Sequence, residues 1–509
     1  MEFLPKVVII DLGSQYTFVI ERTIRELGVR SAIFNNRKKA VAWIKKYPCS
    51  AVVFSGGDRS VYDAGSPQPP IETLDLGVPV LAICYGMHWI AHHFGGKVER
   101  KGSEYGKGGI VCENSPLFDG MAGPLEVWNS HGDSVTRVPD GYHVTACSVA
   151  TGIAAAIENV ESKFFCVQFH PEVVDTPRGK ELLSNFLFKI AACEKNWQTA
   201  SVIAEAREDL RASIKPGERA IIGYSGGVDS SVGAALAGYV FNEDLLLVTI
   251  DGGHLRENEP DEIRQNAKAT GCAQHLMIDA RAEFDAVMSD TIDAEEKRKR
   301  FKKVYTALLL KAAQDFGASI ILQGTLATDR IESGATGGAL IKSHHNVGLD
   351  FGDLRQVHQL DRFFKYEVRA LARELGLPES IAERQPFPGP GGFLRVNGVP
   401  ATQEYLELWK WAQARVDEIL IRRGLYAAIS QNVVSVCGTK TVGVKGDGRV
   451  YAHPIVVRGI ETIDFMTGKG VRLPTEAKEE IEAVVTAHPR VTCVYYNETS
   501  KPPATTEPE

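Results

Sequence analysis

The sequence predicts an α/β protein: two doubly wound α/β domains followed by a smaller α+β C-terminal domain. Three observations carry this reading. The chain has 509 residues, too many for one hydrophobic core and suited to about three domains. Short apolar runs alternate with helix-like segments twice over, and a Pro/Gly-rich run then breaks the pattern. From the start to about residue 192 the strand candidates are Val7–Asp11, Ala51–Phe54, Val78–Ile83 and Cys166–Phe169, with a helix over Tyr16–Leu27. The stretch Asn185–Glu218 is charge-rich and reads as helical, and Lys215-Pro-Gly217 is a turn, so a boundary is placed at 195/196. The alternation resumes with Ala220–Tyr224, Leu245–Ile250, His275–Ile278 and Ser319–Gln323. Proline fixes φ and glycine admits positive φ, so Gln385-Pro-Phe-Pro-Gly-Pro-Gly-Gly392 ends the second domain, with the boundary at 388/389. The third domain carries a helix around Gln403–Arg423 and strand-like runs Val433–Val436, Ile455–Val457 and Val491–Tyr496. The expected domains are therefore 1–195, 196–388 and 389–509.

Bulk composition narrows the function. A formal net charge of -7 argues against a nucleic-acid partner, which calls for a strongly basic face. Nine scattered cysteines without a CxxC pair suit a reducing cytoplasm. The first residues lead straight into a strand without the pattern of a secretory signal, and no apolar run approaches the roughly 20 residues that span a bilayer. A cytoplasmic enzyme with no membrane partner is expected.

Chemistry concentrates in two places. Cys84 follows the apolar run Val80-Leu-Ala-Ile83 and precedes Tyr85-Gly-Met-His-Trp-Ile-Ala91, which has helical spacing. A thiol on a strand-to-helix turn is exposed, and the helix N-terminus favours its anion. His170 closes another apolar run, Pro171 keeps it extended, and Glu172 can orient its ring, so Cys84, His170 and Glu172 form a candidate triad. The backbone N–H groups of Tyr85 and of Gly57, in Phe54-Ser-Gly-Gly57, are candidates for an oxyanion hole. A lone cysteine is more often structural than reactive. The convergence of three strand ends reverses that weighting.

The second place is Ala220-Ile-Ile-Gly-Tyr-Ser-Gly-Gly-Val-Asp-Ser-Ser231. Its glycines let backbone N–H groups converge on an anion, its serines add hydroxyl donors, and the following helix offers its positive end. The loop lacks the Gly-Lys-Ser/Thr ending of a Walker A motif, which suits it to a departing pyrophosphate rather than γ-phosphoryl transfer. Candidate phosphate ligands are Ser225, Gly226, Gly227, Val228, Asp229, Ser230 and Ser231. Asp229 is also the candidate Mg²⁺ ligand.

These residues resemble known sets. Cys84-Tyr-Gly86, His170-Pro-Glu172, Ser55-Gly-Gly57 and Ser130-His-Gly-Asp133 are similar to the class I glutamine amidotransferases. There the Cys attacks the glutamine carboxamide and releases ammonia. Ser225–Ser231 resembles the N-type ATP pyrophosphatases, which transfer AMP to a carbonyl oxygen. The order of the two, with Gly324-Thr325, Ile331-Glu-Ser333, Ile341–Gly348, Pro386–Gly391, Val442–Gly448, Glu461–Met466 and Lys501-Pro-Pro-Ala-Thr505, resembles the glutamine-hydrolysing GMP synthetase family over nearly the whole chain. The resemblance implies conversion of XMP, ATP and glutamine to GMP, AMP, pyrophosphate and glutamate. It further implies Mg²⁺ with ATP as co-substrate, and a homodimer formed through the C-terminal domain. Carried over, Lys365 neutralises charge on phosphate, while Gly389, Pro390, Lys501, Thr506 and Glu507 belong to the XMP site. The residues alone give bland readings for these lysines, and for His344-His345 as a loop pair. The chain departs from the family pattern at Asp58 after the Gly-Gly pair, at Ile250-Asp-Gly-Gly-His-Leu-Arg256, at Ala327-Thr-Asp329, at Pro390-Gly-Gly392 and at Glu507-Pro-Glu509.

Two alternatives compete. A related amidotransferase would aminate another purine-like nucleotide by the same adenylation chemistry. A non-catalytic nucleotide-binding regulator would have lost the nucleophile, the base or the phosphate loop, yet all are present. Asparagine synthetase-like chemistry needs an N-terminal Cys, and the second residue here is Glu2.

Overall fold

In a computed structural model, residues 4–121, 123–326, 351–462, 468–501 and 503–507 are described. The runs Ile331–Ser333, Ile341–Gly348 and Ala327–Asp329, most of Glu461–Met466, His344-His345 and the last two residues lie outside them. The chain divides into two compact units, one reaching Val202 and the other taking the described residues from Ile203 onward.

The first unit is built on a nine-stranded sheet. Five strands are parallel, in the order Ser31–Phe34, Val7–Ile10, Ala51–Phe54, Val80–Ile83 and Phe164–Val167. Four antiparallel strands extend it: Ala154–Asn159, His143–Ser148, Glu104–Cys112 and Pro124–His131. The strands Val7–Ile10, Ala51–Phe54, Val80–Ile83 and Phe164–Val167 are buried throughout. That follows from helices covering both faces, and it explains why these strands read as continuous apolar runs. Several elements differ in extent from what the sequence suggests. The helix over Tyr16–Leu27 is Thr17–Glu26, and the run Cys166–Phe169 is Phe164–Val167, which leaves Gln168 and Phe169 in the loop before His170. Asn185–Glu218 is not one helix, because residues 191–198 interrupt it before the helix Thr199–Ser213 begins.

The second unit holds a five-stranded, all-parallel sheet in the order Gln274–Asp279, Leu245–Asp251, Ala220–Gly223, Ile320–Leu322 and Arg355–Val357. In chain order that is 3-2-1-4-5. The switch point falls between Ala220–Gly223 and Ile320–Leu322, the place where sheets of this kind take their ligands. A second sheet follows in the same unit, made by Val396–Asn397, Gln431–Cys437, Gly448–Glu461 and Thr441–Lys445, with Lys469–Gly470 and Val491–Tyr496 also paired to the long strand. The helix Gln403–Arg422 lies on it, and Trp409 is fully buried with Nε1–H donating to the Val434 carbonyl at 3.0 Å.

Candidate active site

Three neighbouring parallel strands of the first unit deliver the thiol chemistry from their carboxyl ends. The central one, Val80–Ile83, ends at Cys84, and the helix Tyr85–His93 begins at once. Cys84 has φ 50° and ψ -106°, a conformation that side chains other than glycine rarely adopt. Such a residue stores on the order of 1–3 kcal/mol of strain, tolerated because the turn lifts the sulfur clear of the sheet. Gly86 is required beside it: a Cβ there would lie 2.9 Å from both Cβ and the carbonyl oxygen of Phe54.

On one side, the strand Ala51–Phe54 runs into Ser55-Gly-Gly57. The Ser55 hydroxyl accepts from Leu12 N–H and donates to the Gly56 carbonyl, pinning the loop. A Cβ on Gly57 would meet the Leu12 carbonyl at 2.6 Å and the Tyr85 side chain at 3.1 Å, so the two oxyanion candidates adjoin. On the other side, the strand Phe164–Val167 leads to His170, whose Nδ1 is 2.8 Å from Glu172 Oε1. Both side chains are buried, and Tyr16 stands edge-on to the His170 ring at 4.9 Å. Burial opposes charge on His170, but Glu172 and the Cys84 sulfur outweigh it and hold the imidazolium well above the ordinary histidine range. The structure thus brings together Cys84, His170, Glu172, Gly57 and Tyr85.

Residues of the Ser55-Gly-Gly57 and Ser130-His-Gly-Asp133 runs line the same place, and Gln168, to which the sequence assigns no role, joins them. Gly56 lies against the reacting pair, since a Cβ on it would be 3.1 Å from His170 Cε1 and 3.6 Å from Cys84 Cβ. The Ser130 carbonyl is 4.0 Å from Cys84 Sγ, and Gln168 Nε2 is 3.8 Å from it. Asp133 accepts from Ser60 and Tyr62, while its carbonyl accepts from His131 Nδ1–H.

In the second unit the loop after Ala220–Gly223 sits at the switch point. Gly226 has φ +67°, and its Cβ would meet Ile263 Cγ1 at 2.8 Å, so the turn needs glycine. Gly227 caps the helix Val228–Phe241 in extended conformation. Ser225 and Ser230 hydroxyls are 3.2 Å apart, Ser231 is 3.0 Å from the Tyr224 hydroxyl, and Ser230 also bonds to the Gly227 carbonyl. Lys365, the first residue of the helix Lys365–Glu374, reaches across 136 positions to Asp229 Oδ2 at 2.6 Å. Asp229 Oδ1 is buried with no hydrogen-bond partner. A carboxylate oxygen left open beside a phosphate-type loop fits a divalent cation that takes its other ligands from phosphate and water.

Gly389 and Pro390 precede the short helix Gly392–Arg395. The fully buried Arg395 pairs with Glu507, Nε to Oε2 at 2.5 Å and Nη2 to Oε1 at 3.0 Å. That ion pair docks the C-terminal tail, Thr506 included, onto the element following Gly389-Pro390. Lys501 enters through its backbone, exchanging two 2.8 Å hydrogen bonds with Gly468.

Three family models match parts of the chain. Residues 8–190 match the family model for glutamine amidotransferase class-I, 219–325 that for the arginosuccinate synthase N-terminal HUP domain, and 418–508 that for the GMP synthase C terminal domain. A GMP synthase [glutamine-hydrolyzing] of Corynebacterium glutamicum is 40% identical over 515 residues, covering 98% of each chain. That of Pyrobaculum aerophilum is 40% identical over 511 residues, covering 99% of this chain and 100% of its own. That of Treponema denticola is 36% identical over 516 residues, covering 100% and 97%. With both sites in place and the likeness running from end to end, the chain belongs to the glutamine-hydrolysing GMP synthase family.

Proposed function

We infer that this protein makes GMP from XMP, using ATP and the amide nitrogen of glutamine. The observation that carries this is the pairing, on one chain, of a Cys-His-Glu constellation with a phosphate loop at the switch point of a separate parallel sheet. The thiolate of Cys84 attacks the glutamine carboxamide carbon. Charge moves onto the amide oxygen, where the N–H groups of Gly57 and Tyr85 would receive it, and one such donor is worth roughly 10²–10³ in rate. His170, kept charged by Glu172, passes its proton to the nitrogen as the C–N bond breaks and ammonia leaves. The thioester remains. His170 then takes a proton from water, which attacks the thioester and frees glutamate and the thiolate, restoring the starting pair.

At the second site the purine oxygen of XMP attacks the α-phosphorus of ATP, and pyrophosphate departs toward Ser225–Ser231. The resulting adenylate turns a poor leaving group into AMP, which ammonia displaces to give GMP. Lys365 supports this role by its reach to the loop, where its ammonium offsets charge on the departing phosphates. Mg²⁺ would be held by Asp229 through its open carboxylate oxygen and would neutralise phosphate charge. Gly389, Pro390, Lys501, Thr506 and Glu507 would bind XMP, a role supported by the Arg395–Glu507 pair at that end of the unit.

The three-domain division at 195/196 and 388/389 stays with this reading. A homodimer through the C-terminal domain is supported by Val442, Val444 and Tyr451, exposed on one hairpin with Val442 opposite Tyr451. A cytoplasmic setting is supported by nine cysteines that are all free. Among the described residues no helix is long and apolar enough to cross a membrane. The deciding experiment supplies XMP, ATP, Mg²⁺ and glutamine and measures GMP, AMP and pyrophosphate. Equal amounts of the three support the inference. Glutamate without AMP or an aminated base overturns it, and turnover of another purine-like nucleotide in place of XMP would favour the related amidotransferase.

A further inference from the structure

His88 lies one turn into the helix that follows the nucleophile, and the chemistry above gives it no task. It is only 3% exposed. Its Nε2 is 2.7 Å from Gln168 Oε1, and Gln168 Nε2 is 3.8 Å from Cys84 Sγ. Gln168 is itself buried, so the three groups form a chain shielded from solvent. Burial pulls the His88 pKa down to about 4, against the pull of Gln168, so the ring is neutral at physiological pH and bears a single N–H. The titratable groups that face it are His131, which disfavours its charge, and Asp133, which favours it.

The direction of the chain follows from what each group can do. A carbonyl oxygen only accepts, and the ring also meets the Asp133 backbone, whose hydrogen bond favours its charge; the 2.7 Å contact to Gln168 Oε1 is the one that takes the single N–H of the neutral ring. With its oxygen held there, the Gln168 amide turns its N–H toward the sulfur. A donor at that position favours the thiolate, whereas the reversed amide would set its oxygen against the sulfur and favour the thiol. We propose that His88 is a positioning residue for glutamine hydrolysis: through Gln168 it aims an amide N–H at Cys84 Sγ and holds the sulfur as the attacking anion. This rests on Cys84 being the nucleophile.

The test uses the full chain and follows, against pH, the rate at which iodoacetamide inactivates glutamine-dependent turnover. It adds kcat and KM for glutamine, and synthesis driven by ammonium. In His88→Met the pH midpoint of inactivation moves up by about one pH unit and kcat falls about tenfold, with KM for glutamine within about twofold. His88→Gln sets an amide nitrogen near the place of the imidazole Nε2 and restores both. Gln168→Glu keeps the shape, replaces the donor with a carboxylate and moves the midpoint further up, so the proposal stays testable if His88→Met does not fold. An unchanged midpoint in folded His88→Met or Gln168→Glu overturns the proposal, as does a His88→Gln variant that loses as much as His88→Met. Glutamine consumption surviving in Cys84→Ala would instead overturn the nucleophile assignment, and the relay with it.

Discussion

Beside the Cys84 sulfur, Glu172 favours the charged form of the His170 ring. Replacing the sulfur separates the two activities: Cys84→Ala abolishes glutamine-dependent GMP formation while added ammonium still supports synthesis, as a product assay with each nitrogen source would show. Glu172→Gln keeps the geometry at His170 Nδ1 but withdraws the carboxylate that holds its pKa well above the usual range. An NMR titration of the ring should place the variant's pKa below that of the parent, and glutaminase kcat should fall by about 10²–10⁴. The raised pKa also bears on stability. The contribution of His170 is complete below its unfolded pKa of about 6.5 and is lost as pH rises through the folded value. These three residues were legible in the sequence because their motifs sit at strand ends. Gln168 and His88 were not, since their contact spans 80 positions and each hides inside an apolar run that reads as core.

At the scale of elements, both candidate sites obey one rule: their groups stand beyond the carboxyl ends of parallel strands, one set on the three neighbours Ala51–Phe54, Val80–Ile83 and Phe164–Val167, the other at the 3-2-1-4-5 switch point. The parallel strands were readable because burial on both faces makes them continuous apolar runs. The antiparallel extension was not, because Glu104–Cys112 alternates in burial and contains three glycines, and register there comes from pairing with Pro124–His131. The long strand Gly448–Glu461 showed only its central Ile455–Val457, the stretch that pairs on both edges, for the same reason. The phosphate loop and Lys365 meet only through tertiary folding, so Asp229→Asn should end pyrophosphate release while leaving glutamine hydrolysis measurable in the same preparation. The tail is held differently. Arg395 is buried with Glu507, so Arg395→Ala leaves a carboxylate without its cation and should cost about 3–5 kcal/mol, read as a lower urea midpoint for the second unit.

For the whole molecule, acid is the natural stress. His88 in the first unit and His254 in the second are both fully buried, and burial lowers each pKa to about 4. The unfolded chain takes up a proton on each below about pH 6.5 while the folded chain does not, so stability falls as pH drops from there toward 4. Each histidine contributes on the order of 3 kcal/mol to that loss. Calorimetry should show both units melting earlier at pH 5 than at pH 7, and His254→Phe should blunt the change in the second unit alone. The twist at position 84 has a different lesson. Durability on its own would select glycine there, and any L side chain keeps the backbone under tension. A Cys84→Gly chain, inert toward glutamine, should outlast a Cys84→Ala chain on heating by an amount worth about 1 kcal/mol, which marks how far selection for reactivity has drawn this enzyme from its most robust form.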